Sequence, residues 1–502
     1  MVKTYLKYQL KDVVGLINGK NCRPVVSKNG KFIYTGCNEY VLITELKTGE
    51  VIKKLLSSDT KFRFEVTAIT LDKANSNLAV GYSNGSVILY DILNEYTQTK
   101  KFSLHKSAIT SIDFNKSGNY LATGSKDTLI YIWDIIGESV LYKLSGHKDN
   151  ISKVSFHYVN LNAIAVNSNL INLNYTNNFD DDEKTEILIS SSKDSTVKLW
   201  NLKNQETLQT IADLVHKVTD FIAMGNTLIL ASYDNKIRIY KFQVAYSSET
   251  KLPSYVVLKG NLIRQSNSKV INLNLSCDNK ILSILSNDNT IEFFKILSDL
   301  EIKRKILFSE MKKNKKNEKR EKLIKSDNYQ DAFKKAKTTF ENEEYNFKFN
   351  FYSIFTFTGG ESKITSQFFV ENKLYPNIWK FATGQNNNSL DFYEMASNSI
   401  GQNVYLKQND VIKEVKFDEN ILSVDKIYSL ESKGHRDVLR FVKYSENNNM
   451  FLTCSNEAVK IWNYTTFNFI KGVELQNIIS ATFILRDKYV RIYHILRKFL
   501  FL

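Results

Sequence analysis

The 502-residue chain has only three prolines and four cysteines, and each shortage excludes something. Three prolines cannot furnish Pro-rich spacers between domains. The cysteines, Cys22, Cys37, Cys277 and Cys454, stand far apart with no Cys-x-x-Cys pair. That spacing argues against a zinc site and a disulfide framework, and it fits a reducing compartment. No apolar run reaches the roughly 18 residues of a membrane-spanning helix. Lys3, Lys7, Lys11, Asp12 and Lys20 interrupt the apolar start, so no secretory hydrophobic region forms and a soluble chain is expected. There is no phosphate-cradling glycine loop, no His-Glu-x-x-His and no nucleophile elbow. The expectation is therefore no enzyme, no metal and no cofactor.

One short pattern is present twice. Thr123-Gly124-Ser125-Lys126-Asp127 leads to Ile130-Tyr131-Ile132-Trp133-Asp134, and Ser190-Ser191-Ser192-Lys193-Asp194 leads to Val197-Lys198-Leu199-Trp200-Asn201. Each copy reads as a strand, a tight polar turn and an alternating strand ending in an aromatic residue. Repetition of this hairpin resembles the WD-repeat family, whose units of about 40 to 45 residues each make a four-stranded propeller blade.

Degenerate copies recur along the chain. The first holds Phe32 to Gly36 and Val41 to Thr44; the second has an Asn84-Gly85 turn, whose central positions call for positive φ. The third runs from His105 to Asp134. The fourth, from Gly146-His147, is lengthened because Phe156 to Ser192 spans 36 positions where Phe114 to Ser125 spans 11. The excess, about 160–186, is Asn-rich with an acidic Asp180-Asp181-Asp182-Glu183 and reads as a disordered surface loop, tolerated because closure entropy grows slowly with length. The fifth holds His216, Ser232, Asp234 and Tyr240; the sixth, without a leading histidine, ends at Phe294. A weaker seventh uses Phe347 to Phe357 and Lys380 to Tyr393. After Gly434-His435-Arg436-Asp437 an eighth ends at Trp462-Asn463.

The fold expected is all-β: a seven-bladed propeller over 24–395 behind a lead-in, 1–23. A linker, 396–431, and the start of a second, incomplete propeller, 432–502, follow. A lone eighth blade would expose two apolar faces and be unstable, and the ending Arg491 to Leu500 departs from the blade pattern.

Histidines and tryptophans that recur once per unit are parts of the unit rather than a catalytic or metal set. Resemblance to WD repeats carries a structural hydrogen-bonded set onto His105, Ser125, Asp127 and Trp133, and onto His147, Ser192, Asp194 and Trp200. Imidazole would meet carboxylate and indole N–H would meet hydroxyl. His216, Ser232, Asp234 and Tyr240 form a third candidate set. His435 and Trp462 belong to a fourth, whose turn offers Asn456-Glu457 where the others have Lys-Asp.

The formal charge of +15 is concentrated, for Ile302 to Lys325 carries eleven Lys or Arg against three Glu. A helix charged on every side cannot be buried, so an extension over about 301–340 should project from the sixth blade. Its candidate contacts with RNA phosphates or an acidic partner are Lys303, Arg304, Lys305, Lys312, Lys313, Lys315, Lys316, Lys319, Arg320, Lys322 and Lys325. Such contact would be salt-sensitive; the alternative is a solvated linker.

Three features together resemble one family more closely: Ala122 to Phe156, the run Ile291-Glu292-Phe293-Phe294-Lys295-Ile296-Leu297-Ser298 entering the Lys-rich segment, and Gly434-His435-Arg436-Asp437-Val438. The sequence is similar to WD repeat-containing protein 3, also called small nucleolar RNA-associated protein 12, of the UTP-B subcomplex of the small-subunit processome. The resemblance implies a nucleolar scaffold for assembly and processing of precursor ribosomal RNA. It also implies sister WD-repeat proteins of UTP-B and small nucleolar RNA as partners, directly or indirectly, with no membrane and no small-molecule substrate. A ubiquitin-ligase substrate adapter and a coat or cytoskeletal scaffold are the alternatives.

Overall fold

Strands form wherever the alternating runs fall, and no helix occurs among the described residues. The computed structural model describes residues 19, 22–56, 64–159, 185–234, 236–246, 253–262, 264–276, 278–297, 351–358, 362–370, 378–386, 389–396, 423–431, 434–435, 437–445, 449–466, 468–475, 477–484, 489–494 and 499–501.

Each sheet is an antiparallel meander taken in chain order. The first holds β1 (Val25–Val26), β2 (Phe32–Cys37), β3 (Tyr40–Glu45) and β4 (Val51–Leu56). The second holds β5 (Val66–Leu71), β6 (Asn77–Tyr82), β7 (Ser86–Asp91) and β8 (Thr97–Ser103); the third β9 (Ile109–Phe114), β10 (Tyr120–Ser125), β11 (Ile130–Asp134) and β12 (Ser139–Leu144). The fourth holds β13 (Ile151–Val159), β14 (Thr185–Ser192), β15 (Val197–Asn201) and β16 (Glu206–Ile211); the fifth β17 (Val218–Met224), β18 (Thr227–Ser232), β19 (Ile237–Tyr246) and β20 (Pro253–Leu262). The sixth is β21 (Val270–Leu275), β22 (Ile281–Ser286), β23 (Thr290–Ile296) and β24 (Phe351–Thr358); the seventh β25 (Ile364–Val370), β26 (Ile378–Gln385), β27 (Ser389–Ala396) and β28 (Ser423–Glu431).

Apolar clusters join consecutive sheets in turn, from Tyr34 and Val80 between the first and second to Phe293 and Phe381 between the sixth and seventh. A further cluster, with Ile33 and Leu46 against Ala382, Leu390 and Phe392, joins the seventh sheet to the first. The seven sheets therefore close into a ring, with the first strands of neighbouring sheets side by side around its axis. Every sheet thereby covers both of its apolar faces.

Four expectations are corrected. Residues 423–431 of the expected linker are β28, which pairs with β27 from Ser389↔Glu431 to Ala396↔Ser423, because the third strand otherwise leaves its ladder groups unpaired. Phe351 to Phe357, assigned to the seventh unit, lie in the fourth strand of the sixth sheet. The eighth sheet is not alone. It holds β29 (Phe441–Tyr444), β30 (Met450–Cys454), β31 (Ala458–Asn463) and β32 (Phe469–Glu474), and is followed by β33 (Ile478–Ile484), β34 (Tyr489–His494) and β35 (Phe499–Phe501). Leu452 and Val459 pack on Ile478, Ala481, Val490 and Ile492, so the chain ending is a blade-like sheet. Finally, only Gly85 of the Asn84-Gly85 turn has positive φ, 87°; Asn84 instead accepts the Ser86 N–H at 3.0 Å. The Asn-rich insertion and the basic extension enter between β13 and β14 and between β23 and β24, and residues 160–184 and 298–350 lie outside the described residues.

Candidate functional site

In the third sheet, Trp133 pairs with Leu121 across the ladder, and its indole reaches the residue two positions further along β10. Trp133 Nε1–H donates to Thr123 Oγ1 at 2.9 Å, Thr123 Oγ1 lies 2.9 Å from His105 Nε2, and His105 Nδ1 lies 2.9 Å from Asp127 Oδ2. Asp127 also accepts the backbone N–H groups of Lys106 and Leu129, each at 3.0 Å. The fourth sheet repeats the chain as Trp200, Ser190, His147 and Asp194, at 2.8, 2.7 and 3.0 Å.

Burial pushes His105 and His147 down, and the partly compensating carboxylates leave both below the ordinary imidazole value. A neutral ring has one donor and one acceptor, so Nδ1–H donates to the carboxylate and Nε2 accepts a hydrogen bond from the hydroxyl. Burial opposes the charge of Asp127 and Asp194, but hydrogen bonds received outweigh it and hold both below the ordinary carboxylate value.

The hydroxyl in each chain is not the expected serine. Ser125 Oγ donates to the Ser107 carbonyl at 3.0 Å and accepts the Asp127 N–H, while Ser192 Oγ donates to the Asp149 and Asn150 carbonyls. Ser125 lies four residues beyond Leu121, about 13 Å along the strand, out of reach of Trp133.

His216 is exposed and, among the described residues, takes no part in a set. Tyr233 N–H bonds the Lys217 carbonyl as Lys126 bonds Ala108 and Lys193 bonds Asn150, which places buried Leu214 where the other sheets have histidine. Arg238 takes over the carboxylate, with Nη2 2.8 Å from Asp234 Oδ2 and Nη1 3.0 Å from Ser232 Oγ. Tyr240 OH, buried in the same apolar cluster as Leu214, has no hydrogen-bond partner among the described residues. Tyr240→Phe is therefore expected to leave the midpoint of urea unfolding unchanged or raise stability by up to about 1 kcal/mol, since an unsatisfied hydroxyl is removed.

The sixth sheet uses residues that sequence reading missed. Arg264 donates to Glu292 Oε2 at 3.1 Å and to Ser286 Oγ at 2.5 Å, and Glu292 Oε1 accepts the N–H groups of Gln265 and Ser266. In the seventh, Gln385 and Ser429 both donate to Asp391 at 2.5 Å.

The eighth sheet retains a shortened chain: Trp462 Nε1–H to Thr453 Oγ1 at 2.8 Å, Thr453 to His435 Nε2 at 2.7 Å, and His435 Nδ1 to Ser455 Oγ at 2.9 Å. Serine replaces the carboxylate, and burial together with the nearby Lys460 ammonium lowers His435 to about 4. Its unfolded-state value, near 6.5, is higher, so the unfolded chain binds more protons in that window. The stability contribution is complete above pH 6.5 and is lost as pH falls toward 4. Asp113, pushed up to about 6 chiefly by burial, has the opposite slope, gaining stability as pH falls below 6. His435→Gln isolates the first effect: the gap in urea midpoint between wild type and variant should narrow from pH 7 to pH 4.5.

At the ring axis, Ser111 Oγ accepts the Val154 N–H between the third and fourth sheets, and two junctions further on Asp220 Oδ2 accepts that of Leu273 between the fifth and sixth. Asp220 is fully buried and also meets Lys153 Nζ at 2.9 Å and Arg23 Nη1 at 3.1 Å. Among the described residues no three His, Cys, Asp or Glu converge to hold a metal ion.

These blades have counterparts among known proteins. The repeat described as WD domain, G-beta repeat matches residues 96–134, 172–201 and 425–463. The chain carries WD repeats on an all-β fold. The WD-repeat chain is 34% identical over 109 residues to the WD repeat-containing protein 3 homolog of Dictyostelium discoideum, covering 22% of this chain and 11% of that one. It is 26% identical over 506 residues to U3 small nucleolar RNA-associated protein 12 of Saccharomyces cerevisiae (strain ATCC 204508 / S288c), covering 96% of this chain and 47% of that protein. The two relatives carry both names of the family resembled in sequence, and that resemblance is borne out. This WD-repeat chain spans about half the length of the yeast relative. A solved chain of the mitotic checkpoint complex aligns with TM-score 0.47 and 14% identity over 78% of this chain and 96% of its own.

Proposed function

We propose that this WD-repeat protein is a non-catalytic scaffold of the small-subunit processome, acting in the nucleolus in assembly and processing of precursor ribosomal RNA. The observation that carries the reading is alignment with a U3 small nucleolar RNA-associated protein over 96% of the chain. The buried polar sets support it from the other side, because their histidines and carboxylates are bonded to one another and to backbone within the blades. Other WD-repeat proteins of UTP-B, small nucleolar RNA and precursor ribosomal RNA are the proposed partners. The contact with RNA or an acidic partner is assigned to the basic segment, Lys303 to Lys325, which lies outside the described residues.

Affinity purification of the tagged endogenous protein tests the reading. Precursor ribosomal RNA, small nucleolar RNA and WD-repeat partners should co-purify. Recovery of ubiquitin-ligase or coat subunits without RNA would overturn it. Charge reversal over Lys312 to Lys322 should reduce the RNA recovered and weaken its retention as salt rises.

A further inference from the structure

The displaced histidine of the fifth sheet changes the surface above it. In the third and fourth sheets the loops before the first strand and between the second and third strands present Lys106 with Lys126, and Lys148 with Lys193, all exposed. In the fifth, Leu214 turns inward, and the same two positions present Val215, 81% exposed, and Tyr233, 43% exposed. His216 is exposed between them in sequence. Lys269 from the sixth sheet sits 5.4 Å from the Tyr233 ring centroid, and Lys217 and Lys236 are exposed on the fifth sheet's own loops.

An aliphatic side chain is thus held out on the loop whose Lys217 carbonyl takes the Tyr233 N–H, with ammonium groups from its own sheet and from the sixth sheet nearby. The acids nearby are largely engaged. Asp149 faces Lys217 at 3.7 Å, Asp194 is bonded to His147, and Asp234 is held by Arg238; Asp213 is exposed in the same loop. Isolated exposed apolar residues need no explanation, but an exposed aliphatic and an exposed aromatic residue on adjoining loops with lysines alongside have the composition of a binding hot spot.

We infer that this face of the fifth sheet docks an acidic polypeptide segment bearing an aromatic or aliphatic side chain. The apolar group packs on Val215 and Tyr233, and its flanking carboxylates meet Lys236 and Lys269 and compete with Asp149 for Lys217. A protein segment fits better than a polynucleotide, because Val215 offers no phosphate contact at the most exposed point of the patch. The inference does not depend on the nucleolar reading.

Fluorescence polarisation with the full chain tests it, using a labelled peptide of repeated Glu-Asp-Phe triplets, the same peptide with Ser for Phe, and polyuridylate of equal length. The Phe peptide should bind, the Ser peptide about tenfold more weakly, and added salt should weaken both. Val215→Asp and Tyr233→Ser should each cost about tenfold with an unchanged melting midpoint, since both side chains are exposed. The double variant Lys217→Glu with Lys269→Glu should do the same. No binding by wild type, or equal binding by the Val215 and Tyr233 variants, overturns the inference. So does polyuridylate binding that falls with the same variants, which would make the patch a nucleic-acid surface.

Discussion

Asp220→Ala should lower the free energy of unfolding by about 3–5 kcal/mol, read as a fall in the urea midpoint. The carboxylate is fully buried at the axis and ties together four parts of the chain: the lead-in through Arg23, the fourth sheet through Lys153, its own strand through the Phe221 N–H and the sixth sheet through the Leu273 N–H. Burial alone would raise its pKa, but Lys153, Arg23 and the received hydrogen bonds outweigh that and hold it below the ordinary carboxylate value. Its contribution is thus complete at neutral pH and disappears only as pH falls through that lowered value. Alanine leaves the Arg23 guanidinium and the Lys153 ammonium without this counter-charge and the Phe221 and Leu273 N–H groups without this acceptor. Lys153→Met should cost less, because Arg23 still neutralises the carboxylate. Equal losses for the two variants would show that the pair, rather than the four-way junction, matters.

The second large effect belongs to Glu292→Ala, also about 3–5 kcal/mol by the same measurement. Arg264 and Glu292 are 2% and 1% exposed, so truncating the acid leaves a buried guanidinium without this counter-charge and deprives Gln265 and Ser266 of their acceptor. Removing both charges together is different in kind. Arg264→Met with Glu292→Leu should recover most of the loss, because a packed apolar pair avoids the cost of desolvating two ions. If Glu292→Ala unfolds like wild type, the pair does not anchor the sixth sheet.

What could be read from the sequence followed the strength of local pattern. The strand-turn-strand units around Trp133 and Trp200 are legible because tight turns fix register and alternation fixes the buried face. The hydroxyl partner was misread within those same units, although pairing of Trp133 with Leu121 makes Thr123 the diagonal neighbour. His216 was misplaced by a signal that was available: it stands two residues before its strand, where His105 and His147 stand four before theirs. Arg264 and Glu292 left no trace of that kind, since an arginine in the role of a histidine preserves charge pairing but not residue type. The fourth strand of the seventh sheet and the ninth sheet went unseen because outer strands and chain endings carry weak alternation, and their pairing is decided by neighbours remote in sequence.

The seam between the seventh and first sheets bears on how the ring responds to load. Six junctions are crossed by the continuing chain, whereas this one is joined by the cluster of Ile33, Leu46, Ala382, Leu390 and Phe392. Val25 and Glu431, where the chain enters and leaves the ring, belong to the two sheets that meet there. Tension applied between those two residues loads the two-residue pairing of β1 with β2 at one end and the pairing of β28 with β27 at the other, with the seam between them. Arg23, just ahead of the entry point, is fastened to the fifth sheet, so the lead-in serves as a tether that keeps the first sheet in place when the seam is pulled.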